Sequence, residues 1–123
     1  MTVVFLALAG GVGAAVRFIV DGLIRSRLRT ALPWATILIN VSGSLVLGFV
    51  SGLVVRGHAP DSLQLVLGTG FLGGYTTFST ASVETIRLVQ SGRTGLALTN
   101  AVGSLVASVG AAAVGLWIAF ALP

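Results

Sequence analysis

Residues 33–55 read PWATILINVSGSLVLGFVSGLVV, a stretch without one charged side chain. A helix that crosses a bilayer needs about 20 mostly apolar residues, because the hydrocarbon layer is about 30 Å thick and each residue rises 1.5 Å. This stretch has that length, and Pro33 suits a first helical turn. It therefore reads as a membrane span. Three further segments qualify on either side: Thr2 to about Leu23 with Arg17 as its one internal arginine, Asp61 to about Gln90, and Thr94 to Leu122. The Gly57-His58-Ala59-Pro60 turn and Ser91-Gly92 separate them, and no loop is long enough to hold another domain. The fold class that follows is an all-α membrane protein, one four-helix transmembrane domain over residues 1–123.

Composition agrees. The 123 residues are 55% hydrophobic and 8% charged, with a mean hydropathy of +1.05; soluble domains carry about a quarter charged residues. All seven basic residues are arginine, against three acids. Such a balance would suggest nucleic acid as partner in a soluble chain, but here the arginines flank apolar runs and read as orientation signals in lipid. There is no cysteine, hence no disulfide framework, thiolate nucleophile or thiolate metal site. No charged region precedes Val3-Val4-Phe5-Leu6, so the first segment reads as a retained helix rather than a cleaved leader.

Arg25, Arg27 and Arg29 fall in the first loop, Arg56 in the second, and Arg87 and Arg93 around the third. With four spans the first and third loops share a side. Five arginines there against one opposite place both termini outside the cytoplasm, in a multi-pass protein of the cell membrane. Asp61 and Gln64 have the spacing of a capping box at the start of the third segment.

Small residues recur at four-residue spacing: Ser44, Gly48 and Gly52 on the second span, and Gly103, Ala107, Ala111 and Gly115 on the fourth. Both stripes read as helix-packing faces, since small residues let helices approach closely in lipid.

Nothing resembles an enzyme. His58 is alone in a loop, the acids are scattered, and no nucleophile has a base at a recognisable spacing. What remains are polar tracks at helical spacing: Thr36, Asn40 and Ser44 on the second span, and Asn100, Ser104 and Ser108 on the fourth. Such groups need partners in hydrocarbon, so the tracks read either as interhelical hydrogen bonding or as a pore lining. Arg17 reads either as a side chain snorkelling to the nearby surface, paired with Asp21, or as a vestibule charge that concentrates anions. Glu84, the only glutamate, stands beside Arg87 at ion-pair spacing.

The third segment is unusual. Residues 70–80 read GFLGGYTTFST, with Gly68 just upstream. Clustered glycine and β-branched residues in mid-membrane read either as an unwound helix whose carbonyls are buried or hold an ion, or as a packing groove. Phe78 adds a ring whose positively polarised edge can face an anion.

Taken together, three stretches resemble signatures of the CrcB/Fluc fluoride channel family: GGVGAAVRF at 10–18, NVSGS at 40–44 and GFLGGYTTFST at 70–80. They occur in order along the whole chain. The resemblance implies passive fluoride export, resistance to fluoride toxicity, and an antiparallel dimer with a broken third helix and two pores. It assigns the pore to Asn40, Phe78, Ser79, Thr80, Asn100, Ser104 and Ser108, the vestibule to Arg17, and a structural sodium ion to the backbone carbonyls of Gly73 and Thr76. One departure stands out: the family motif continues to a second phenylalanine where this chain has Ala81. The partner is then either a second copy of the chain or, on the hypothesis raised by Ala81 and the lopsided arginines together, an oppositely oriented paralogue, with one pore degenerate. Two other readings compete. A four-helix proton-coupled multidrug exporter would need a first-span glutamate, which is missing; a non-transporting assembly subunit would leave Arg17 and residues 70–80 unexplained.

Overall fold

The computed structural model describes residues 1–123 and is entirely helical outside its turns. We number the helices α1 (Thr2–Arg27), α2 (Trp34–Val55), α3 (61–75), α4 (Ser79–Gln90) and α5 (Thr94–Ala121). Of these, α1, α2 and α5 are each long and apolar enough to cross a membrane. Within α3, Gln64–Leu72 is wound as π-helix, as is Thr99–Gly103 within α5. Many large apolar side chains point outward, including Phe18 and Trp117, so the surface suits lipid rather than water.

Glycine decides which helices touch. A Cβ on Gly13 of α1 would stand 2.0 Å from the Phe71 carbonyl oxygen, and one on Gly74 of α3 would stand 2.0 Å from that of Gly10. The two backbones therefore lie in direct contact. On the other flank, a Cβ on Gly48 would stand 2.0 Å from the Ala112 carbonyl oxygen, and one on Gly115 would stand 2.1 Å from that of Leu45. This seam joins α2 to α5. The stripe on α5 is thus corrected: Gly115 packs, but its companions are Ala112 and Ala119, while Gly103 and Ala107 are exposed.

Helical winding ends at Tyr75 and resumes at Ser79. Thr76 is extended, at φ −79° and ψ 159°. The glycines of α3 are themselves wound; Gly70 and Gly74 serve close packing on α1, and the winding is lost at the threonines.

Four local expectations need correcting. α1 runs on to Arg27, one turn past Leu23, which puts Arg25 and Arg27 in its last turn, where the helix dipole favours cations. No side chain caps α3: Pro60 is at the cap position, and Gln64 instead accepts a hydrogen bond from Ser51 at 3.2 Å. Asp21 pairs with Arg25 at 2.8 Å, not with Arg17. Glu84 pairs with the same Arg25 at 2.9 Å across 59 positions, not with Arg87. That last pair brings the first and third loops to one end of the bundle. At the opposite end, Arg56 donates to the carbonyls of Ala119, Phe120 and Leu122, capping the C-terminus of α5.

Candidate functional site

The interruption after Tyr75 frees backbone groups that cannot be left bare in a bilayer. α2 supplies their partner. The Asn40 carboxamide donates from Nδ2 to the Thr77 carbonyl at 2.8 Å and accepts the Thr77 N–H at Oδ1, also at 2.8 Å. Thr77 is itself buried, and its hydroxyl accepts the Thr80 N–H at 3.2 Å, capping the start of α4. Nearby, Ser42 and Tyr75 share a hydrogen bond of 3.0 Å, and a Cβ on Gly43 would stand 2.4 Å from Thr76 Cγ2. The small Gly43 is what lets α2 approach the interruption.

An open groove of about 600 Å³ runs from here between α2, α3, α4 and α5. Asn40, Gly73, Thr76, Phe78, Asn100, Ser104 and Ser108 all line it, so seven of the sequence-predicted positions come together. Asn100 is 2% exposed in the π-helical turn of α5; it donates to the Thr85 hydroxyl at 2.8 Å, and Ser104 donates to it at 3.4 Å. Ser44 from α2 and Ser108 from α5 line the groove, and their hydroxyls make no hydrogen bond inside the chain. Phe78 projects almost wholly free, 86% exposed.

Three predicted positions lie elsewhere. Ser79 and Thr80 are within hydrogen-bond reach of the Thr77 hydroxyl, at 3.4 and 3.1 Å, rather than lining the groove. Arg17 sits on α1, which contributes no residue to the groove; it is half-buried one turn beyond Gly13 and makes no ion pair. Conversely, Thr77, Ser82 and Thr85 line the groove and escaped the sequence reading. A signal for the last two existed: Phe78, Ser82 and Thr85 fall at helical spacing once the interruption is crossed.

Cation ligands in the groove could only be neutral oxygens, because no three His, Cys, Asp or Glu side chains cluster anywhere. The Thr76 carbonyl receives no backbone hydrogen bond and lies just past the end of α3. Such oxygens suit a hard cation, and the donor set is compatible with sodium.

Comparison with known proteins gives these features a family context. The family model described as CrcB-like protein, Camphor Resistance (CrcB) matches residues 4–116. A protein named fluoride-specific ion channel FluC 1 from Leifsonia xyli subsp. xyli is 47% identical over 96% of this chain and 86% of its own length. Its namesake from Streptomyces avermitilis is 45% identical over 95% of each chain, and the fluoride-specific ion channel FluC of Novosphingobium aromaticivorans is 47% identical over 85% of each. A match of that extent leaves one assignment: the chain belongs to the CrcB family.

Proposed function

We propose that this chain is a subunit of a fluoride-selective channel through which fluoride leaves the cytoplasm passively, lowering its toxicity. One observation carries the reading: uncharged hydroxyl and amide groups of α2, α4 and α5 converge on a single groove beside the Asn40–Thr77 clamp. The names of relatives 45–47% identical supply the ion.

The chemistry fits. Fluoride is strongly hydrated, so a path for it must replace water's hydrogen bonds, while a buried full charge would hold the ion too long to conduct. Ser44 and Ser108 offer hydroxyls with no competing partner, and Ser104 and Asn100 continue the donor track. The exposed Phe78 ring can turn its edge to the anion. Ser79 and Thr80 bear on the path through the Thr77 hydroxyl, and Arg17 acts from α1 as a vestibule charge. No chemical bond changes, so the protein is a channel and not an enzyme.

We read α3 and α4 as the two halves of one broken third span, which with α1, α2 and α5 makes one four-span domain. The sodium ion would sit at the carbonyls of Gly73 and Thr76 and supply a fixed positive charge that holds the broken ends; both residues line the groove. An open groove and a protruding Phe78 in an apolar surface support a second subunit packed there; the family resemblance makes it antiparallel to the first. Ala81 lines the same groove where the family motif has a ring, which favours a paralogue over a second copy as that subunit. The arginine-rich end faces the cytoplasm of the cell membrane, leaving both termini outside. Lipid is the remaining contact, and nucleic acid has no place in this arrangement.

The multidrug-exporter reading loses its proton carrier, since the only glutamate is held by Arg25. The test of the channel reading is fluoride efflux from liposomes, read with a fluoride electrode against chloride, for the chain alone and with its paralogue. Fluoride-only efflux upholds it. No efflux from either preparation returns the assembly-subunit reading.

A further inference from the structure

A second cavity, of about 410 Å³, opens at the arginine-rich end, away from the groove. Arg25, Arg87 and Arg93 line it together with Glu84. The four are not equivalent. Arg25 is engaged by Asp21 and Glu84 at once. Glu84 gives one carboxylate oxygen to Arg25, and its other oxygen, Oε1, is sealed from solvent without a partner, so it is not presented to the cavity. Arg87 and Arg93 make no ion pair. Both are exposed. The charge offered to an incoming ligand is therefore two uncommitted guanidinium groups, one on α4 and one just before α5, held over a pocket large enough for a headgroup.

The cavity's depth in the bilayer follows from its wall. Pro33 lines it, and the next residue, Trp34, starts α2 partly exposed, as aromatic side chains do at headgroup level. Guanidinium forks match phosphate oxygens in pairs, and basic pockets between helices at this depth bind phosphate headgroups. We infer that Arg87 and Arg93 form a binding site for a phosphate oxyanion, separate from the conduction groove, with the headgroup of an anionic phospholipid as its occupant. Free phosphate shares the chemistry and is separated by the test.

The experiment is native mass spectrometry of the full chain in detergent, titrated with phosphatidylglycerol, with phosphatidylcholine, and with inorganic phosphate. Two double variants remove equal charge: Arg87→Gln with Arg93→Gln in the cavity, and Arg27→Gln with Arg29→Gln outside it. None of the four makes an ion pair, so both variants should fold. The site predicts that phosphatidylglycerol binds in preference to phosphatidylcholine, and that its affinity falls about tenfold or more in the first variant and less than twofold in the second. Competition by millimolar inorganic phosphate, lost in the same variant, would uphold the site with free phosphate as occupant. Equal losses in both variants, or equal binding of the two lipids, would overturn it.

Discussion

Asn40 and Thr77 are joined by two hydrogen bonds of 2.8 Å each, so that a side-chain amide on α2 does for one non-helical residue what a neighbouring strand does in a sheet. Thr77 lies at the only interruption between the end of α3 and the start of α4. A bilayer offers no water to replace those bonds. The clamp therefore couples the stability of the interruption to the shape of the groove it borders.

Replacing Asn40 with Ala should leave both backbone groups of Thr77 unpaired, at a cost of about 1–3 kcal/mol for each buried group. Asn40→Asp should be worse, since a carboxylate would meet the Thr77 carbonyl oxygen. Thermal unfolding in detergent and liposome flux should fall together. A variant that keeps the wild-type melting temperature would show the clamp to be dispensable.

The glycines divide into two groups that sequence cannot separate. Gly13→Ala and Gly48→Ala each drive a methyl to 2.0 Å from a carbonyl oxygen and should destabilise by about 1–3 kcal/mol or more, by prising helices apart. Gly11→Ala and Gly110→Ala meet nothing within 4 Å and should be neutral or gain up to about 1 kcal/mol of helix propensity. Melting temperatures of the four, measured side by side, check the packing seams. Equal effects across the set would mean the seams are misassigned.

Phe78 supports no part of the fold of one chain, being 86% exposed. On the channel reading, Phe78→Leu should cut fluoride efflux by at least about tenfold while changing subunit stability by no more than about 0.5 kcal/mol, the usual range for exposed positions. Flux assays paired with circular dichroism in detergent separate the two effects. Unchanged efflux would remove Phe78 from the conduction path.

Ala81 lines the open groove. If its small size is what degrades the homodimer, Ala81→Phe should raise fluoride efflux from liposomes holding this chain alone, with little change when the paralogue is present. A variant no more active than the parent would discard the paired-subunit account.

Much was legible beforehand. Three of the spans were, because hydropathy and length are summed residue by residue: 33–55 matches α2 almost to the residue, and the polar spacing of Asn100, Ser104 and Ser108 on α5 places all three along one groove. The family resemblance rested on short motifs that survive without knowledge of their contacts. What failed was partnership. By spacing alone Asp21 is within reach of Arg17, one of the two readings of that arginine, and Glu84 within reach of Arg87, each being the nearest opposite charge on the same segment. The structure gives both acids to Arg25, because α1 and α4 end side by side.

The sequence by itself determined that this is a membrane protein, roughly where its three long helices run, which end carries the arginines and which polar residues share a face. These are properties of single helices, fixed by local period and by the cost of polar groups in lipid. Only the tertiary structure decided that glycines of α3 pack on α1 while winding is lost at Thr76, that Asn40 closes on Thr77 from 37 positions away, and that Arg87 and Arg93 are left without partners. Each of those depends on how one helix is rotated against another. That rotation is set by backbone contacts between distant segments, and no local pattern records it.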